Sequence, residues 1–148
     1  MIRGIIFDFN RTIFDPEIPG LSRGAIELLE KLKTSGYKMC LISKASSIER
    51  KNEISELGLD KYFIDIQVIV EGHKTEQHFE RCIELMSLKP NEIAVVGDRI
   101  KKEIYLGNKF GMTTFWYKSG KFSNELPKNE DEIPKYTISK LEEILEYL

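Results

Sequence analysis

Cysteine, histidine and tryptophan are scarce in this sequence: two, two and one among 148 residues. Cys40 and Cys82 lie inside apolar periodic segments and not at zinc-ligand spacing. They read as two reduced, buried thiols, which excludes a disulfide framework or a thiolate metal site. No apolar run reaches the roughly 18–20 residues of a membrane-crossing helix. The opening stretch from Met1 to Asp8 meets an acid too early for a secretory signal. Charge of one sign is missing too: 22 Lys and Arg stand against 24 Asp and Glu, a formal charge of −2. Because these charges are interspersed, neither a nucleic-acid footprint nor an anionic-membrane patch is expected. Repeats, low-complexity tracts and domain linkers are absent. Together these absences predict one cytoplasmic domain over residues 1–148, long enough to bury its own core without disulfide or metal.

What the chain does contain is a short apolar run followed by a longer helical pattern, repeated. Arg3 to Phe7 reads as a strand buried on both faces. A turn-rich stretch from Phe9 to Gly20 follows, and Ala25, Ile26, Leu28, Leu29 and Leu32 then recur at helical spacing, stopped by Gly36. Tyr37 to Ile42 is a second strand, and Ser46-Ser47-Ile48-Glu49 reads as a capping box opening a helix that runs to Gly58. Phe63 to Val70 is a third strand, and Thr75 caps a helix carrying Phe79, Cys82, Ile83 and Met86 until Pro90 breaks it. Ile93 to Val96 is a fourth strand, a helix from about Lys101 ends at Gly111, and Thr113 to Tyr117 is a fifth. Residues 118–135 read as a long polar surface loop. Tyr136 to Ile138 adds an edge strand, and Ser139 caps a last helix with Leu141, Ile144, Leu145 and Leu148 inward. Alternation of this kind predicts an α/β fold: a three-layer α/β/α, Rossmann-like sandwich around a mostly parallel sheet.

Ligands of such sheets bind at the carboxyl ends of the strands, so the residues that end the strands decide the chemistry. The first strand ends in Asp8, the second in Ser43, the fourth in Gly97-Asp98, and Lys74 opens the helix after the third. Two converging carboxylates are costly without a cation between them, and all-oxygen ligation favours Mg²⁺. Lysine, hydroxyl and metal together suit a phosphoryl group, whose equatorial oxygens each would stabilise. A carboxylate oxygen left free of the metal can attack phosphorus in line and form an acyl phosphate.

The segment Ile5-Ile6-Phe7-Asp8-Phe9-Asn10-Arg11-Thr12 resembles the first motif of the haloacid dehalogenase (HAD) superfamily, aspartate-x-aspartate-x-threonine after a hydrophobic strand. Leu41-Ile42-Ser43 is similar to its second motif, Lys74 to its third, and Val95 to Glu103 to its fourth, a glycine-aspartate followed by a further acid. The resemblance covers residue 2 to about residue 122. It implies a Mg²⁺-dependent phosphohydrolase with the first strand central. In that reading Asp8 is nucleophile and metal ligand, the Asn10 backbone carbonyl and Asp98 are further metal ligands, and Ser43 and Lys74 hold the phosphoryl oxygens, with Asn10 beside them. Glu103 acts from the outer shell, through water or by pairing with Lys74, and Thr12 braces the loop. The substrate would be a phosphorylated compound of unspecified identity.

Two departures from the family pattern matter. Phosphatases of the family carry a second aspartate two residues after the nucleophile, as general acid and base; this chain has Asn10, whose carboxamide exchanges no proton near neutral pH. A branch that reassigns the role, an engineered substitution and a pocket kept only for binding all fit that change. His73, beside Lys74, is one candidate for the empty role. Arg11 stands where phosphatases usually have glycine. The chain also lacks a cap insertion, since only Ile13 to Gly20 and Glu71 to His73 occupy the places where caps enter. An open site suits a large substrate or a neighbouring subunit as cap, hence a homodimer. The alternative function is a non-catalytic HAD-like module that binds phosphate or protein. A phosphotransfer receiver fits less well, because receivers place their aspartate after the third strand, which here ends Ile69-Val70-Glu71.

Overall fold

Isoleucine and phenylalanine fill Gly4–Asp8 so densely that only a strand covered on both faces can hold them. In the computed structural model, which describes residues 1–148, that segment is β1, and all of it is buried. A small hairpin follows, β2 (Phe14–Asp15) paired antiparallel with β3 (Gly20–Leu21). Then come α1 (Ala25–Thr34), β4 (Lys38–Lys44), α2 (Arg50–Glu56) and β5 (Asp65–Ile69). The second half continues with α3 (Glu76–Met86), β6 (Ile93–Gly97), α4 (Tyr105–Phe110), β7 (Thr113–Tyr117) and β8 (Tyr136–Ile138).

Six strands form one sheet in the order β5-β4-β1-β6-β7-β8, every pair parallel. Side chains alternate across it with period two. Ile5 and Phe7 face a core with Leu28, Leu29, Leu32, Ile54, Leu141 and Ile144, so α1, α2 and the C-terminal turns cover that face. Ile6 points the other way, among Cys40, Phe79, Cys82, Met86, Val95 and Leu106, beneath α3 and α4. Both cysteines are buried and unbridged. This is the expected three-layer sandwich, with β1 central. From β1 the chain adds β4 and β5 on one side, then crosses to β6 on the other. The strand order therefore reverses at β1, where open α/β sheets form their ligand crevice. No domain interrupts the chain between β1 and α1 or between β5 and α3, and no helix is long and apolar enough to cross a membrane.

Four local expectations are corrected. The capping box at Ser46–Glu49 does not form: Ser47 Oγ accepts the Glu49 N–H at 3.1 Å, a serine turn that competes with a cap, and α2 starts only at Arg50. The helix after β6 opens with a π-helical turn, Ile100–Ile104, in which the Ile104 N–H reaches the Arg99 carbonyl. Before Pro90 is reached, α3 has already ended: Ser87 takes a left-handed conformation with φ 54°. The last segment, Leu141–Tyr147, is a run of 3₁₀ turns and not an α-helix. Residues three apart align in a 3₁₀ turn, so Leu141 and Ile144 reach the core equally well in that form.

Candidate active site

Asp8 ends β1 and is buried. One carboxylate oxygen accepts from the Lys74 ammonium, and the other from Thr12 Oγ1 at 3.4 Å. Thr12 is fully buried, so it fixes the Asp8 carboxylate from behind. Lys74 precedes α3 at the turn where Thr75 opens the helix. There the Thr75 N–H donates to His78 Nδ1 at 2.9 Å, a reciprocal cap that half-buries His78. The Lys74 ammonium also donates to Glu103 Oε1 at 2.7 Å.

Glu103 is carried by the π-helical turn after β6, and such turns gather at functional sites. It approaches the sheet so closely that a Cβ at Gly97 would stand 2.8 Å from its Cβ and Cγ. Only glycine leaves that room. Asp98 follows directly, buried, its backbone carbonyl accepting from Trp116 Nε1 of β7 at 2.9 Å.

Three carboxylates against one lysine is an unbalanced charge. Burial first, then the charges of Asp8 and Glu103, push the Asp98 carboxyl up to about 9. Burial likewise raises Glu103, against the pull of Lys74. Burial works against the Lys74 charge as well, but Asp8 and Glu103 outweigh it and hold the ammonium above its usual value. Glu103 Oε2 is buried with no hydrogen-bond partner. Asp8, Asp98 and Glu103 each offer an oxygen, all within 4.8 Å of one another, so the cluster can hold a metal ion. Hard oxygen donors, surplus negative charge and an orphaned buried oxygen fit a divalent cation of the Mg²⁺ or Ca²⁺ kind.

These groups open onto a cavity of about 360 Å³ lined by Asp8, Asn10, His73, Lys74, Asp98 and Glu103. Arg11, Lys44, Arg99, Lys102 and Phe122 complete its wall. Five of the seven expected site residues therefore converge: Asp8, Asn10, Lys74, Asp98 and Glu103. Thr12 lies behind Asp8. Ser43 ends up fully buried at the end of β4, with Oγ accepting from Arg50 Nη1 at 2.8 Å, and it does not line the cavity. Sequence reasoning missed Arg50, whose guanidinium also lies 4.9 Å from the Phe9 ring. Phe122 belongs to an aromatic set with Phe115, Trp116 and Tyr117 for which sequence suggests either core packing or a recognition surface. It lines the cavity, although its place beside Arg11 and Arg99 is not foreseen. No local pattern announces either contact, since each depends on how separate loops meet.

The sequence matches the family described as haloacid dehalogenase-like hydrolase over residues 17–117. Among curated relatives, a glyceraldehyde 3-phosphate phosphatase of Pyrococcus furiosus is 33% identical over 135 residues, 89% of this chain and 54% of that protein. The enzyme of the same name in Methanopyrus kandleri is 28% identical, over 82% of this chain and 53% of the relative. The chain thus spans about half the length of the curated relatives it matches. Among solved structures, the HAD-hydrolase YfnB of Bacillus subtilis, crystallised bound to magnesium, superposes with a TM-score of 0.79 at 16% identity. That match covers 99% of this chain and 98% of the other and shows the shared fold. With the family match extending over most of its length, this chain belongs to the haloacid dehalogenase-like hydrolases.

Proposed function

We propose that this domain hydrolyses small phosphomonoesters through an aspartyl-phosphate on Asp8, slowly because Asn10 supplies no proton. The observation that carries the reading is the buried Asp8 carboxylate, held between Lys74 and Thr12 and opening onto a cavity of small-ligand size. The relatives named as glyceraldehyde 3-phosphate phosphatases support the substrate class, and the magnesium-bound relative supports Mg²⁺ as the ion.

Asp8, Asp98 and the Asn10 backbone carbonyl would hold Mg²⁺, which when bound supplies the positive charge that lets a phosphate dianion approach a carboxylate. Lys74 holds the Asp8 carboxylate aimed, and Glu103 keeps Lys74 in place. An Asp8 oxygen attacks phosphorus in line, forming the acyl phosphate as the ester P–O bond breaks. The departing alkoxide needs a proton, and the Asn10 carboxamide has none to give. Water then attacks the same phosphorus, the P–O bond to Asp8 breaks, and inorganic phosphate leaves. That water has no carboxylate base at position 10. A missing general acid–base costs about 10²–10⁴ in rate, or about 3–5 kcal/mol of barrier. Ser43 accepts from Arg50 and keeps its own hydroxyl proton to donate, but it is fully buried off the cavity and would have to be uncovered to reach the phosphoryl group.

The test is Mg²⁺-dependent phosphate release from p-nitrophenyl phosphate and acetyl phosphate by the natural chain, Asn10→Asp and Asp8→Asn. A large gain in Asn10→Asp that needs Asp8 supports the reading. Clear activity of the natural chain, also dependent on Asp8, supports it with another group in the proton-transfer role, and His73 is the imidazole on the cavity. If all three proteins are inert while Mg²⁺ binds, the domain is a binding module. Asn10 is the observation that favours that second reading.

A further inference from the structure

The core of the site and its rim have opposite electrostatic character. Asp8, Asp98 and Glu103 against Lys74 are brought to neutrality by one divalent cation. Around them stand Arg11, Lys44 and Lys102, and no other carboxylate lines the cavity. None of the three enters an ion pair. Arg99 differs, since both its Nε and Nη2 meet the Glu125 carboxylate at 3.3 Å and its guanidinium lies 3.8 Å from the Phe122 ring centre. It is neutralised and serves as wall.

The free cations are held in place. Arg11 is a non-glycine residue at φ 62°, a conformation that costs an L-residue energy and persists where surroundings impose it. Its stem lies against Gly120, and its guanidinium stands 5.6 Å from the Phe122 ring centre. Lys44 is tethered through its ammonium to the Val70 carbonyl at 2.6 Å, a bond that orients the charge without cancelling it. Lys102 is half-buried in the π-helical turn beside Glu103. Partly buried cations without an anion are unfavourable until a ligand supplies one. Arg11 and Lys102 are of that kind, and with the exposed Lys44 the rim carries three cations without an anion, more than a single phosphate dianion uses.

We propose that Arg11, Lys44 and Lys102 form a second anion subsite, so that the preferred substrate is a small phosphomonoester carrying another phosphate or a carboxylate. This rests on the phosphohydrolase reading for its first phosphate. The cavity, about 360 Å³, lies at the small end of ligand pockets, which fits a compact doubly anionic metabolite and not a polymer.

The test uses three non-hydrolysable ligands of one chain length: propylphosphonate, 3-phosphonopropanoate and propane-1,3-bisphosphonate. Their Kd values are measured by calorimetry with Mg²⁺ at low ionic strength, for the natural chain, Arg11→Gln, Arg11→Lys and Lys102→Gln. At least one doubly anionic ligand should bind about tenfold or more tighter than propylphosphonate, as one charge-assisted contact implies. The advantage should shrink in Arg11→Gln and Lys102→Gln, survive in part in Arg11→Lys, and fall with added salt. Which ligand gains identifies the second group as carboxylate or phosphate. Equal Kd values for all three ligands, or a preference untouched by both glutamine variants, would overturn the subsite. Hydrolysis of p-nitrophenyl phosphate is measured on the same preparations. Turnover without ligand preference removes the subsite alone, and preference without turnover removes the hydrolase reading alone.

Discussion

The Lys74 ammonium and Glu103 Oε1 lie 2.7 Å apart with side chains only 5% and 7% exposed. Lys74 is also the cation that Asp8 faces, so one ammonium compensates two buried acids. Replacing it as Lys74→Met leaves buried carboxylates unpaired, which typically costs 3–5 kcal/mol, so a loss of about that size is expected in the metal-free protein. Because the lost term is charge, a divalent cation should restore part of it. Urea denaturation with and without MgCl₂ measures both. An equal loss in the two conditions would mean that the metal does not share the carboxylates.

Asp98 yields a pH dependence. Its carboxyl lies at about 9 in the fold against 3.8 ordinarily, from burial and from the neighbouring acids. Between those values the folded, metal-free protein holds a proton that the unfolded chain has released. The associated stability is complete below the lower value and is lost as pH rises through the upper one. A denaturation series in chelator should therefore show stability falling with pH. Metal must displace that proton, so Mg²⁺ affinity should rise over the same window. Calorimetry in buffers of different ionisation enthalpy should register a proton released on binding. A pH-independent affinity across that window would contradict the shift.

Gly97 is a sharper probe of Glu103 than Glu103 itself. The side chain of Gly97→Ala would stand 2.8 Å from Glu103 Cβ and Cγ, atoms close to the backbone with little freedom to retreat. Overpacking of this kind costs about 1–3 kcal/mol. The displaced Glu103 should also loosen Lys74, lowering turnover and raising KM for Mg²⁺. Thermal unfolding and metal-dependent activity, read together, separate this from a purely local effect. Undiminished activity would show that the contact is not needed to hold Lys74.

How much of this was legible in sequence differs residue by residue. Asp8 and Asp98 were readable because β1 and β6 are short apolar runs, and a parallel sheet delivers whatever ends its strands to one edge. Glu103 came with Asp98 only through the resemblance to the family's fourth motif, because the helical pattern after β6 fits a solvated surface charge equally well and could not reveal the π-helical turn. The element types on the sheet held for the same reason, since period two and period 3.6 are visible locally. Arg50 on Ser43 and Phe122 beneath Arg11 and Arg99 were not readable: each joins segments whose approach is set by tertiary packing. The Ser46–Glu49 box failed because Ser47 offers the backbone a competing bond, a contest that sequence does not decide.

Ser87 supplies a stability prediction away from the site. It closes α3 in a left-handed conformation, φ 54°, and is exposed. A Cβ is disfavoured there, whereas glycine adopts that conformation freely and is the usual residue at such helix ends. The Ser87 Oγ contact to the Glu84 carbonyl, 3.4 Å, is long and exposed. A left-handed L-residue costs about 1–2 kcal/mol and glycine's extra freedom in the unfolded chain takes back about 0.4–1, so Ser87→Gly should stabilise the domain by about 0.5–1 kcal/mol, read from the urea midpoint at unchanged slope. A lower midpoint would mean that the serine hydroxyl holds the helix end more firmly than its geometry suggests.

Asn10 predicts a dependence on the leaving group. An alkyl alkoxide is a poor leaving group and needs a proton as the ester P–O bond breaks; p-nitrophenolate departs unaided. Asn10→Asp places a carboxyl at the cavity wall, two residues from Asp8. The gain in kcat/KM from Asn10→Asp should accordingly be larger for propyl phosphate than for p-nitrophenyl phosphate, within the roughly 10²–10⁴ range of general acid catalysis. Acetyl phosphate needs no acid in the first step, so any gain there reports the second step, in which a base activates water. Rapid-quench detection of the acyl phosphate separates the two steps: the natural chain should accumulate it with activated esters, and Asn10→Asp should not. Equal gains for alkyl and aryl esters would place the limiting role of residue 10 in hydrolysis of the aspartyl-phosphate and not in its formation.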